Sequence, residues 1–245
     1  MKFRFALSAA ALALLAACGG NGGGNGTAPA TPVAAVTPPA GTDWTQVVSK
    51  TADGGYVMGN PAAAIKLVEY GSRTCPTCGA FGQTGMRPLE DGYVKSGKVS
   101  YEFRDFLVHA PDLGVATLGE CVGEAAFFPL LEQMYVEQPA FLAKLEKLPP
   151  DFQQKLQAQS PVQQATAWVE YLGYLDFVKQ RGLTEAQARQ CLADGKKMEA
   201  LAKVTETATQ DKGVTGTPTF FINGQKLDGA VTWPAIDVAL KNAGA

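Results

Sequence analysis

The sequence has a single histidine, His109, among 245 residues. A histidine-built metal centre is therefore excluded, and neither a metal nor a cofactor is expected. Basic surplus is also lacking: 21 Lys and Arg stand against 23 Asp and Glu, a net charge of −2. Phosphate binding needs a basic face, so nucleic acid is not an expected partner. The N-terminal apolar stretch, Phe5 to Leu14, is too short to span a bilayer. There is no solenoid-type repeat, and Leu113 to Gln210 carries no strand pattern. With 46% hydrophobic and 18% charged residues, the composition is that of a globular chain able to bury a sizeable core.

Five cysteines are present, and two of them organise the rest. They lie in Glu69-Tyr70-Gly71-Ser72-Arg73-Thr74-Cys75-Pro76-Thr77-Cys78, between an apolar run from Ile65 to Val68 and a helical pattern from Gly79 to Val94. A C-x-x-C where a strand hands over to a helix is a redox signal; without that context it would be ambiguous with zinc. The first turn of a helix offers unpaired N–H groups and the positive end of the macrodipole. A thiolate at Cys75 is stabilised there, and Cys78, one turn on, can close a short disulfide with it. The competing reading is an inert disulfide.

Far downstream, Gly216-Thr217-Pro218-Thr219-Phe220-Phe221-Ile222-Asn223-Gly224 reads as a loop, a proline, a short β-rich run and an Asn-Gly turn. Together these two segments resemble the thioredoxin superfamily, and more closely the DsbA-like thiol:disulfide oxidoreductases of the bacterial cell envelope. Tyr56-Val57-Met58-Gly59-Asn60-Pro61 is similar to that family's entry strand and Gly-Asn-Pro turn. The resemblance implies that Pro218 is cis and faces Cys75 and Cys78, with the Thr217 backbone available to pair with an extended peptide. It also implies a role for Glu69, six residues before Cys75. A buried Glu69 would have a raised pKa and could relay the proton of Cys78; turned to solvent it would do neither. Pro76 supplies no N–H. Thr77 stands where strongly oxidising DsbA proteins commonly have histidine, so Cys75 is expected to be less acidic than in those.

The N-terminus reads as an address. Lys2 and Arg4 precede the apolar stretch, which ends in Leu15-Ala16-Ala17-Cys18. That ending resembles the lipobox of bacterial lipoproteins and implies a signal peptide over residues 1–17 and acylation of Cys18; the plainer reading is an ordinary signal peptide. Residues 18–43 are low-complexity, first Gly/Asn and then Ala/Pro/Thr, and read as a tether of about 25–30 Å random-coil reach.

From Trp44 the chain reads as folded, an α/β domain over residues 44–245. Tyr56 to Met58 is expected as an edge strand, Ala64 to Tyr70 as a central strand and Val99 to Phe106 as a third. Pro218 to Ile222 and Gln225 to Leu227 are expected as a closing hairpin, and Pro234 to Asn242 as a final helix. Ser160-Pro161-Val162-Gln163 and Thr184-Glu185-Ala186-Gln187 carry capping-box logic. The expectation is a thioredoxin fold, a mixed central sheet flanked by helices, with a helical domain inserted at about 112–210.

Cys121 and Cys191 both fall in that insertion. In an oxidising compartment the default is a structural disulfide between them, the alternative being two buried thiols. Some DsbA-like proteins of alphaproteobacteria carry a second, non-catalytic disulfide there, which this pair resembles. His109 follows the third strand, where the rim of the site is expected; a lone histidine is more often structural or simply exposed.

The reading that results is a lipid-anchored periplasmic enzyme that exchanges its Cys75–Cys78 disulfide with thiol-containing secreted proteins, as an oxidant. Its reoxidation would need a quinone-linked membrane partner of the DsbB kind. A reductase or isomerase would use the same residues. The residues before Trp44 offer no dimerisation domain, so a monomer is expected, which weighs against the isomerase. The reading from another class is a non-catalytic, peptide-binding lipoprotein.

Overall fold

A computed structural model describes residues 31–245. The signal segment, Cys18 and the first part of the tether lie outside the described residues.

Among the described residues, six strands form one mixed sheet in the order β1-β2-β4-β3-β5-β6. They are β1 (Val48–Lys50), β2 (Tyr56–Gly59), β3 (Ile65–Gly71), β4 (Val99–Asp105), β5 (Thr219–Ile222) and β6 (Gln225–Leu227). The second strand is not the edge, as Tyr56 to Met58 had been expected to be: β1 pairs outside it, Val48 opposite Met58. Three residues, Val48 partly covered and Ser49 and Lys50 exposed, carry too little alternation to announce a strand. Among the described residues the only parallel pair is β3 with β4, Ile65 opposite Val99 and Gly71 opposite Asp105. A parallel pair needs a crossover, and helix α1 (Pro76–Leu89) supplies it. Its ladder is interrupted by Pro88, after which the chain continues as a π turn, Glu90–Val94.

Seven helices follow β4: α2 (Asp112–Gly119), α3 (Glu124–Leu142), α4 (Phe152–Leu156), α5 (Pro161–Leu172), α6 (Tyr174–Lys179), α7 (Glu185–Leu192) and α8 (Gly195–Lys212). Both capping boxes form, at Ser160 for α5 and Thr184 for α7. After β6 the chain ends in α9 (Trp233–Asn242).

The long helix α3 joins the two halves. Phe127, Phe128, Leu131 and Tyr135 enter one core with Leu67, Tyr101 and Phe103 of the sheet and Phe81 of α1. Leu130, Met134 and Phe141, on its other side, enter the lobe core with Trp168, Leu172, Tyr174 and Phe177. Helical spacing of three and four residues serves both faces at once. Truncating one of these phenylalanines to Ala would cost about 3–5 kcal/mol.

Residues 33–43, within the expected tether, lie on the body. Val33 N–H donates to the Gly244 carbonyl at 2.7 Å and Val36 N–H to that of Ser96 at 2.9 Å. The buried Trp44 indole N–H donates to the Val36 carbonyl at 2.7 Å. These contacts sit at the Val99 end of the sheet, opposite the end where β3 delivers Cys75.

Candidate active site

Strand β3 buries Ile65, Leu67 and Glu69 on the α1 side and leaves the sheet at Gly71. The loop Ser72–Thr74 is wholly buried and leads to Cys75, the N-cap of α1. Pro76 occupies the first helical position, where a missing N–H costs nothing. Pro76 and Thr77 are exposed. Cys75 retains 7% of its surface and Cys78 none.

The two thiols are electrostatically opposite. The Cys75 thiol is pushed down to about 5, chiefly by its hydrogen bond with Cys78; burial opposes this, while Thr217 and the N–H groups of Cys78 and Thr77 add to it. Thr77 thus acts through its backbone. Burial pushes the Cys78 thiol well above its ordinary value, and the nearby Cys75 and Glu69 add to the effect. Ser72 N–H points at Cys78 Sγ at 3.5 Å. Across the groove, Cys75 Sγ lies 3.3 Å from the Thr217 carbonyl, and the Thr217–Pro218 bond is cis.

Glu69 is fully buried, and burial raises its carboxyl to about 8, against the lowering effect of the Tyr101 hydroxyl, which donates to Oε2 at 2.6 Å. Its Oε1 has no partner. A neutral carboxyl at this depth holds a proton within the same interior as Cys78.

Several supporting residues were not legible in the sequence. Arg73, 1% exposed, forms a bidentate pair with Asp105 at 2.8 and 3.0 Å and stacks over Phe127. Gln138 of α3 donates to the carbonyls of Arg73 and Cys75 at 2.9 and 3.0 Å. Asp112, at the start of α2, accepts from Ser72 and Thr74. The inserted lobe therefore holds the loop that carries Cys75. Only the oddity of a charged residue and two hydroxyls between strand and helix hinted at this; the partners lie 32 to 65 residues away in sequence.

Cys121 and Cys191 are joined as a disulfide, with Cα atoms 6.3 Å apart. On the far face of the sheet, a cavity of about 440 Å³ is lined by Val57, Val68, Phe221, Lys66, Glu102 and Arg104, away from the dithiol. Among the described residues, no helix is long and apolar enough to cross a membrane, and no cluster of three potential metal ligands occurs.

Comparison with known proteins agrees with this geometry. The crystal structure of a protein-disulfide isomerase from Novosphingobium aromaticivorans superposes with a TM-score of 0.74 at 30% identity, covering 78% of this chain and 97% of that one. Wolbachia pipientis alpha-DsbA1 shares the fold at a TM-score of 0.60 and 20% identity, over 77% of this chain and 89% of its own. A Rickettsia bellii protein provisionally named a protein-disulfide oxidoreductase is 27% identical over 75% of this chain and 62% of its own length. The chain thus spans about 60% of the length of the curated relatives it matches. Residues 51–242 match the family model described as Thioredoxin, so the chain, with its strand-to-helix C-x-x-C and its helical insertion, belongs to the thioredoxin family.

Proposed function

We propose that this chain is a thiol:disulfide oxidoreductase that oxidises thiols of other proteins in the bacterial envelope. One observation carries the reading: a single C-x-x-C holds one acidic sulfur, on a residue that keeps 7% of its surface, and one fully buried sulfur whose thiol is pushed up. A substrate thiolate bonds to Cys75 Sγ, the Cys75–Cys78 bond breaks, and its electron pair goes to Cys78, which takes the proton held by Glu69. A second substrate thiolate then attacks the substrate sulfur, and Cys75 leaves as a thiolate. The substrate loses two electrons and the enzyme dithiol gains them.

The acidity of Cys75 favours the oxidising direction, since a stabilised thiolate stabilises the reduced enzyme. Discounted for solvent beside the sulfur, the effect is on the order of 2 kcal/mol, or some 40 mV. The names of the Rickettsia and Novosphingobium relatives support disulfide chemistry and leave the direction open. Redox titration of the Cys75–Cys78 couple tests it. A potential near −120 mV is expected of an oxidant, and one near −270 mV would reassign the chain as a reductant. An unreactive pair would return the chain to the peptide-binding alternative.

The location rests on the N-terminal sequence. A membrane-bound fraction that carries acyl label, and loses it in Cys18→Ser, is the expected outcome. A DsbB-like oxidase, a monomeric state and a purely structural Cys121–Cys191 bond belong to the same proposal.

A further inference from the structure

The exchange just described leaves one proton without a destination, that of the incoming thiol. Thiolates attack disulfides and thiols do not, and an ordinary cysteine, with a pKa near 8.5, is mostly protonated at neutral pH.

Beside the nucleophile lies a network that bears on this proton. Asp112, 2% exposed, receives the hydroxyls of Ser72 at 3.0 Å and Thr74 at 2.5 Å, and the backbone N–H groups of Val108 and His109 at 2.8 Å each. Four donors converging on one carboxyl mark an ionised acceptor. Burial raises this carboxyl above its ordinary value, while Thr74, the two backbone groups and His109 pull it back. The Thr74 hydroxyl has one hydrogen and gives it to Asp112. Its oxygen also lies 2.9 Å from His109 Nδ1. With its hydrogen committed, Thr74 Oγ1 can only accept there, so Nδ1 carries the hydrogen. The neutral ring then keeps its lone pair on Nε2. The His109 side chain is 49% exposed, next to the half-exposed Val108, and Thr74 immediately precedes Cys75.

We propose that His109 Nε2 is the general base that takes the proton of an incoming protein thiol, with Thr74 and Asp112 fixing the tautomer. The inference rests on the oxidant reading above. His109 removes the proton from R–SH, the thiolate bonds to Cys75 Sγ, the Cys75–Cys78 bond breaks with its electron pair on Cys78, and the imidazolium returns its proton to solvent.

Two measurements test it. The chain has one histidine, so its imidazole ¹⁵N signals need no assignment. At alkaline pH they should report hydrogen on Nδ1; hydrogen on Nε2 would overturn the tautomer and the base with it. In the second, the oxidised full chain is mixed at pH 7 with 2-mercaptoethanol or with the more acidic trifluoroethanethiol, the protein is precipitated by an acid quench and washed free of small thiol, and the thiols gained by the protein are counted. General-base assistance matters most for the thiol that is hardest to ionise, so His109→Gln should slow 2-mercaptoethanol about tenfold and trifluoroethanethiol by under about twofold. Thr74→Val, which removes the acceptor for Nδ1–H, should show the same selectivity. Equal losses on both thiols would make His109 merely structural, and no loss would remove it from the reaction. Failure of the unaltered protein to react with either thiol sinks the oxidant reading itself, and this inference with it.

Discussion

Cys75 caps the N-terminus of α1, whereas Cys121 follows directly on the C-cap of α2 and Cys191 lies in the last turn of α7. The two pairs thus meet opposite ends of helix dipoles. At Cys75 the nearby N–H groups favour a thiolate. Cys121 Sγ lies 2.8 Å from the Thr117 carbonyl and Cys191 Sγ 3.7 Å from the same oxygen; Cys75 Sγ also has a carbonyl nearby, that of Thr217 at 3.3 Å, so what distinguishes the lobe sulfurs is their place at the carbonyl ends of their helices. Each helix end contributes about 0.3–1 kcal/mol. Lys197, 4.0 Å from Cys121 Sγ, offsets part of this. A sulfur that ionises poorly is a poor leaving group. On the proposed function, where a cysteine sits along a helix would separate an exchangeable disulfide from an inert one within a single chain.

That contrast breaks most visibly by substitution at the nucleophile. Cys75→Ser should reduce oxidation of a reduced, unfolded substrate to background, while Cys78→Ser should accumulate mixed disulfides through Cys75, seen as shifted bands on non-reducing gels. Turnover surviving in Cys75→Ser would remove the asymmetry between the two sulfurs. The lobe pair should behave in reverse. The double variant Cys121→Ser/Cys191→Ser should keep exchange activity yet lose up to about 4 kcal/mol in urea unfolding, since the bond closes a loop with sequence separation 70. Graded glutathione reduction should open Cys75–Cys78 well before Cys121–Cys191; simultaneous opening would dissolve the comparison.

A pH series sharpens it further. Glu69 has a folded pKa of about 8 against 4.5 unfolded, so the native state holds its proton longer and stability falls as pH rises across that window. Cys75 has the opposite sign: folded about 5 against 9 unfolded, so the reduced protein gains stability from pH 5 towards 9. The oxidised protein should therefore weaken as pH climbs from about 5 to 8, and the reduced one much less. In Glu69→Gln the oxidised slope should flatten; an unchanged slope would place the titrating group elsewhere. The smallest effect is expected at the seam between the halves. Gln138→Ala removes two hydrogen bonds to the active-site loop and should cost about 1–3 kcal/mol, measured by denaturant melts.

What the sequence showed followed locality. The C-x-x-C at a strand-to-helix junction, the capping boxes at Ser160 and Thr184 and the Asn223-Gly224 turn are all short-range patterns, and each formed where its residues stand. The three-residue β1 carried no periodicity long enough to see, and residues 33–43, plain in composition, dock through backbone groups that no composition records. The buried supports of the site were hidden for the same reason. Arg73 reads as an ordinary surface charge until Asp105 arrives from the next strand and Phe127 from the lobe. Asp112 reads as a helix start until four donors from the loops on either side are seen to point at it.

The docking of residues 33–36 beside Gly244 and Ser96 gives the molecule a front and a back. Strands β3 and β4 run in parallel from that end towards the dithiol, and seven paired residues span roughly 20 Å. Whatever holds the chain upstream of residue 31 pulls on the back, and Cys75 faces the other way. An acyl group on Cys18, if attached, would leave the reactive sulfur looking outward from the lipid surface, like a lamp on a stalk. Proteins entering the compartment would then meet it head-on, whereas a bilayer-embedded partner could reach Cys75 only if the whole body tipped over on its leash.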